Sequence, residues 1–308
     1  MLIFCRHIII NNRAVLKKQG PLLLASNHPN SFLDAIILDI LFEQPIWSLA
    51  RGDVFKNKWV HKILTALKMF PVYRVSEGVE NLNHNYGTFE NCKQVFRKNG
   101  LVLIFSEGKC INEWRLRPLK KGTARLAISS WEENIPLQVL PVGINYSSFR
   151  RFGKNVIINF GDIITKQDVG WNNGEGLRYQ QFNNKLTDQL QTLVFEIQSH
   201  DTKYKEQLLQ RKPSSILTVL LCVPAILGWF THAPFYIPIQ KIIHKKTAHN
   251  DHYDSVMAAV LIFTYPVYLL LISIATYYFT QSAYSFLLLL LLPVMAWSYV
   301  QVKEQWAK

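Results

Sequence analysis

The sequence predicts an α/β domain, a sheet flanked by helices, that runs into a membrane-embedded helical tail. Three observations predict it. Up to about Arg211, short apolar, β-branched runs alternate with helical patterns, as in a sheet covered by helices on both faces. One run, Leu101-Val-Leu-Ile-Phe105, is apolar at consecutive positions, as a buried central strand should be. After Lys212 the formal charges nearly vanish apart from one short polar island. A chain of 308 residues holds one large domain, or a medium domain with an appendage, and the change in composition divides it into residues 1–211 and 212–308.

The expected strands are Phe4–Ile10, Leu22–Ser26, Ile46–Ala50, Pro71–Val75, Leu101–Ser106, Gln138–Tyr146 and Asn155–Phe160. Helical patterns lie between them at Ser31–Phe42, Lys58–Lys68, Asn83–Lys98 and Lys121–Glu132. A polar helical segment, Tyr179–Leu209, leads out of the domain, with Leu186, Leu190, Val194 and Ile197 as its apolar stripe. The apolar N-terminus is interrupted by Arg6 and His7 and lacks a small-residue cleavage site, so it reads as a first strand rather than a secretory signal.

The tail contains three apolar blocks. Residues 213–240 carry no formal charge but are punctuated by Pro224, Gly228, His232, Pro234 and Pro238. The blocks 256–280 and 282–300 can form a transmembrane hairpin turning near Gln281, since about 20 apolar residues suffice to cross. Basic residues orient it: Lys241, Lys245 and Lys246 in the island, and Lys303 and Lys308 at the C-terminus. A broken, re-entrant or interfacial first block keeps the domain, the island and the C-terminus on one side, the cytoplasmic one; a three-span tail is the alternative.

The formal net charge of +13 suits nucleic acid, an anionic membrane surface or acidic substrates. The apolar tail favours anionic headgroups, and no nucleic-acid-binding signature stands against that choice. Cys5, Cys92, Cys110 and Cys222 are scattered without metal-ligand spacing, as expected for reduced thiols in a cytoplasm-facing domain.

The chemistry-bearing residues begin after the second strand, in Asn27-His28-Pro29-Asn30-Ser31-Phe32-Leu33-Asp34-Ala35. A strand end entering a helix is a common catalytic position in open sheets. His28 can take a hydroxyl proton near neutral pH, and a nearby carboxylate can fix its tautomer. Ser31-Phe-Leu-Asp34 also has the spacing of a helix capping box, so the residues alone leave Asp34 as cap or as histidine partner. A second stretch, Ala50-Arg51-Gly-Asp-Val-Phe-Lys56 with Phe70-Pro-Val-Tyr-Arg74, offers guanidinium groups whose planar fork fits phosphate. A third, Phe105-Ser-Glu107-Gly108-Lys109-Cys110, with Lys120-Lys-Gly-Thr-Ala-Arg125 downstream, follows a buried strand and precedes a helix. A fourth is Val139-Leu-Pro-Val-Gly-Ile-Asn-Tyr146.

Together these four blocks resemble, in order, the motifs of the glycerol-3-phosphate and lysophosphatidate acyltransferase family. The resemblance covers roughly residues 4–165 and implies a glycerolphosphate-acyltransferase-like sheet flanked by helices. It implies that His28 and Asp34 form the catalytic pair, and that Arg74, Arg51, Glu107, Gly108 and Lys109 bind substrate. Five residues separate His28 from Asp34, one more than in the commonest form of the motif. That spacing resembles a branch containing fungal glycerol-3-phosphate/dihydroxyacetone-phosphate acyltransferases. Ser106 stands where Pro is usual and Cys110 where Arg is usual, with Lys109, Arg115 or Lys120 as possible stand-ins for that Arg. The fourth block is expected to line an apolar wall or to be structural.

The resemblance implies transfer of a fatty acyl chain from acyl-CoA or acyl carrier protein to a hydroxyl of lysophosphatidate or glycerol-3-phosphate. The thioester is a substrate, and no cofactor or metal is expected. Membrane lipids are the expected partners. Another lysolipid as acceptor, or an inactive lipid-binding scaffold, are the alternatives.

Overall fold

The computed structural model describes residues 4–73, 84–171, 174–198, 200–211 and 214–303. Among them, seven strands form one sheet: β1 (Cys5–Ile10), β2 (Leu22–Ser26), β3 (Ile46–Arg51), β4 (Met69–Val72), β5 (Leu101–Phe105), β6 (Gln138–Tyr146) and β7 (Lys154–Phe160). Their order is β1-β7-β6-β2-β5-β3-β4, parallel throughout except between β6 and β7. The domain helices are α1 (Phe32–Leu41), α2 (Lys58–Ala66), α3 (His84–Arg97), α4 (Gly122–Glu132), α5 (Glu175–Leu193) and α6 (Thr202–Leu209). The tail holds α7 (Ser215–Lys246), α8 (Tyr253–Thr280) and α9 (Leu288–Val302).

The central strands divide their side chains between two cores, as the period of two requires. Leu22 and Leu24 of β2 and Leu101 and Leu103 of β5 pack with Leu33, Ile37 and Leu38 of α1. Leu23, Ala25, Val102 and Ile104 point the other way, to Ala124, Ala127 and Ile128 of α4. All eight strand residues are buried, which is why these runs show no polar alternation. From β2 the chain crosses through α1 to β3, and from β5 through α4 to β6, in opposite directions across the sheet. Such a reversal opens a crevice outside the carboxyl ends of the two strands.

Two local expectations are corrected. The fourth strand lies at Met69–Val72 rather than 71–75, and residues 74 and 75 fall outside the described residues. The segment 179–209 is two helices, α5 and α6, rather than one. Between them the chain is pinned to the sheet: Asn145 and Asn159 donate their side-chain amides to the Leu193 carbonyl (2.9 Å each), and Phe195 N–H donates to Asn145 Oδ1 (2.7 Å). Gly143 makes this approach possible, because a Cβ there would sit 2.5 Å from the Leu193 carbonyl oxygen.

In the tail, α7 is continuous over 32 residues where a break at the prolines was expected. Pro224, Pro234 and Pro238 each remove a backbone donor, but apolar helices with neighbours tolerate this. Helix α9 is that neighbour, and Gly228 lets the two backbones close up, since a Cβ would lie 2.3 Å from the Met295 carbonyl oxygen. Helices α7 and α8, and the segment Ala283–Val302 that contains α9, are each long and apolar enough to cross a membrane.

Both ends of α7 return to the domain. Leu209, six residues before it, takes a hydrogen bond from Asn155 of β7 (3.0 Å). Near its other end, Ile243 packs with Tyr253, Met257 and Phe4. The island that follows α7 thus packs against the same domain, through Phe4 and through Asn30, which donates to Asp254. Helix α8 departs from the domain, the chain turns at Gln281 in the left-handed conformation (φ 52°), and α9 returns to bring Lys303 over the Phe152 ring (6.0 Å).

Candidate active site

The carboxyl ends of β2, β5 and β6 bring His28, Glu107 and Tyr146 together. His28 Nδ1 lies 2.9 Å from Asp34 Oδ2. The same oxygen accepts Asn30 N–H (2.8 Å), and Asp34 Oδ1 accepts the Tyr146 hydroxyl (2.7 Å). Asp34 is fully buried and is the histidine's partner; Ser31 makes no side-chain cap, which removes the capping-box alternative. Burial and the adjacent Asp34 hold the Tyr146 pKa well above the ordinary phenol value, so it remains a donor. The imidazole stacks on Phe105 with centroids 3.8 Å apart, and its side chain is 14% exposed.

The long His–Asp spacing is absorbed by a kink. Ser31 has φ 54° and ψ −137°, a conformation that costs a non-glycine residue on the order of 1–3 kcal/mol and must be held by its surroundings. Much of that holding comes from the tail and from the loop after β5. Ser31 N–H donates to Cys110 Sγ (2.9 Å), Ser31 Oγ lies 2.7 Å from His252 Nδ1, and Phe32 N–H donates to Ser255 Oγ (3.1 Å). Asn30 Nδ2 donates to Asp254 Oδ2 (2.6 Å), and Lys154 forms a buried ion pair with the same carboxylate. Burial lowers the Lys154 pKa while Asp254 opposes the shift. Burial also lowers the His252 pKa; Asp251 opposes, whereas Arg51 and His28 add to the effect.

Glu107 is a buried organiser. Oε2 accepts the His28 N–H (2.8 Å) and the Arg117 guanidinium (3.0 Å), while Oε1 accepts Arg117 N–H (2.8 Å). The guanidinium also donates to the Lys109 carbonyl. Arg117, rather than Lys109, Arg115 or Lys120, is therefore the cation tied to the third block: Lys109 is exposed, Arg115 pairs with Glu113, and Lys120 lies over Gly108. Gly108 itself has φ 71°. Cys110 is buried, its thiol pushed up by burial, and it holds Ser31 and Asp251 instead of offering a charge. Ser106 accepts the Thr123 hydroxyl (3.0 Å).

Arg51 ends β3, half-exposed and paired with Asp53 (3.1 Å from Nε). Arg74 lies outside the described residues. Among the described residues, no group of three or more His, Cys, Asp or Glu side chains is placed to hold a metal. Reading the sequence missed Arg117, Tyr146, Asn30 and the island residues His252 and Asp254. The run His249-Asn-Asp-His-Tyr-Asp254, polar inside an apolar tail, was the one available signal.

Arg117→Met is expected to leave Glu107 buried with one charged donor fewer, at a cost of about 1–3 kcal/mol. The His28 loop should loosen with it. Faster hydrogen exchange at residues 27–34 with β2 unchanged is the expected readout; unchanged exchange would show that Arg117 does not brace the loop.

Glycerol-3-phosphate O-acyltransferase 1 of Saccharomyces cerevisiae is 28% identical over 105 residues, 33% of this chain and 13% of that protein. The chain thus spans only a small part of the length of that relative. The crystal structure of the 1-acyl-sn-glycerophosphate (LPA) acyltransferase PlsC from Thermotoga maritima is similar with a TM-score of 0.42 at 16% identity, over 62% of this chain and 73% of that one. Residues 7–145, the stretch that holds His28, Asp34 and Glu107, match the family described as Acyltransferase.

Proposed function

We propose that the chain transfers a fatty acyl group from acyl-CoA or acyl carrier protein to a hydroxyl of glycerol-3-phosphate or lysophosphatidate at a membrane surface. The observation that carries this reading is the His28–Asp34 pair. Asp34 already accepts from Asn30 and Tyr146, so it favours the tautomer in which Nδ1 also donates and Nε2 carries the lone pair. Nε2 then takes the acceptor's hydroxyl proton as its oxygen attacks the thioester carbonyl, and the imidazolium is stabilised by the buried carboxylate. The proton passes to the departing thiolate when the thioester C–S bond breaks. General-base assistance of this kind supplies on the order of 10²–10⁴-fold.

Glu107, with both oxygens engaged inside the chain, serves as a positioning residue for His28. Arg51 and Arg74 are the proposed phosphate-holding cations, with Gly108 and Lys109, in the loop after β5, as further proposed substrate contacts. In this reading residues 1–211 are the catalytic domain and 212–308 its membrane tail, with α7 interfacial or re-entrant and α8–α9 as the hairpin. Two observations support this arrangement: α7 has both ends at the domain, and the island packs on the His28 loop. Lys241, Lys245, Lys246 and Lys303 then share the domain's side, which the positive-inside trend makes cytoplasmic.

The test is acylation by the full chain in membranes, with labelled acyl donors and three acceptors: glycerol-3-phosphate, lysophosphatidate and lysophosphatidylcholine. Labelled product from one of the first two is expected. No product, or product from the choline lipid alone, would overturn the reading.

A further inference from the structure

Helix α2 does not behave as a crossover helix should. It connects the parallel strands β3 and β4, a position in which a helix normally buries one face on the sheet. Yet it buries no residue at all. The helix itself is well formed, because Asn57 Oδ1 accepts Trp59 N–H (2.9 Å) and Val60 N–H (3.3 Å) at its start. It is also strongly amphipathic. Trp59, Ile63 and Leu67 stand one turn apart on one stripe and are 75%, 58% and 53% exposed. Lys56, Lys58 and Lys62 are exposed around that stripe, with the Lys62 ammonium 5.5 Å from the Trp59 ring. No acidic residue occurs from Val54 to Tyr73.

We propose that α2 is an interfacial helix that lies on the anionic headgroup surface, with Trp59, Ile63 and Leu67 dipped into it. Two features select this occupant. An apolar stripe bearing tryptophan, rimmed only by lysines, is the pattern of helices that settle in the plane of an anionic interface. The location agrees. Arg51, at the end of β3, is close enough to His252 to act on its charge, and α8 leaves for the bilayer at the next residue, Tyr253. A 3-10 turn at Gly52–Lys56, which advances only about 10 Å, joins Arg51 to α2, so α2 begins a short way along the same rim. The His28 crevice then opens between two membrane contacts, α2 on one rim and α8 on the other. This inference rests on the membrane tail and not on the acyl-transfer reading, so either can fail alone.

The test uses the full chain with Ile63→Cys labelled by an environment-sensitive fluorophore, in a background where the exposed Cys222 is replaced by Ser. The protein is reconstituted through its tail into vesicles of phosphatidylcholine, with or without phosphatidylglycerol. Expected are a blue-shifted emission and quenching by bromolipid, stronger on the phosphatidylglycerol vesicles. Lys58→Gln with Lys62→Gln should shift the docked fraction toward water by about fivefold per lysine lost. A probe that stays water-like on both vesicles overturns the proposal. So does a probe that is blue-shifted but not quenched, which would report a protein partner on α2.

Discussion

His28→Ala is expected to lower acyl transfer at saturating substrate by about two to four orders of magnitude while leaving the fold in place. The Asp34 carboxylate keeps its Asn30 and Tyr146 donors when the imidazole is removed, so the stability cost is limited to about 1–3 kcal/mol. A loss of kcat far larger than the modest fall in Tm explains is therefore the signature sought. Asp34→Asn should lower kcat as well, for a different reason. An amide turned with its oxygen toward Asn30 and His28 keeps the tautomer but removes the charge that stabilises the imidazolium. Turned the other way, it sets an NH2 against two N–H donors. An His28→Ala variant retaining full activity would rule out the proposed base.

Lys154→Met carries the largest expected cost in stability. Lys154 and Asp254 are both buried, and the remaining partner named for that Asp254 oxygen is the Asn30 amide. Breaking a buried pair by removing one member typically costs about 3–5 kcal/mol, because the other charge stays behind without compensation. For a protein of this size that is a fall in Tm on the order of 10 °C. Adding Asp254→Leu should recover most of the loss, since two apolar groups of similar volume replace the pair. Thermal unfolding of the four chains in the double-mutant cycle checks this. A single variant as stable as the parent would mean that the pair does not clamp the tail to the sheet.

What could be read in advance follows from how far apart the interacting residues lie. The strands β2, β5 and β6 are local patterns of apolar residues, and His28, Asp34 and Glu107 sit in short blocks beside them. The partners of those residues do not. Asn30 and Asp254 are 224 positions apart, and no periodicity or motif links them. Arg117 is one cation among several after Glu107, and only the fold of the loop selects it. The stripe Leu186, Leu190, Val194 and Ile197 has helical spacing, but its last member belongs to a different cluster, with Leu209 and Ile157, so the helix stops at Leu193. The prolines of α7 read as breaks by the rules for helices in water, whereas α7 packs along an apolar neighbour. Ser31-x-x-Asp34 has the letters of a cap, but the histidine claims the carboxylate.

The strained turn at Ser31 has a consequence for biosynthesis. Residues 251–255, which brace Asn30, Ser31 and Phe32, leave the ribosome more than a hundred residues after β5 has been made. At ordinary elongation rates of about 5–20 residues per second, the interval from residue 105 to residue 255 is on the order of ten seconds. During it the sheet can close while the histidine loop lacks its tail contacts. Full bracing of that loop therefore waits until α7 has been made and the island has docked, so a nascent chain completes the surroundings of His28 only after its first apolar helix has found its place.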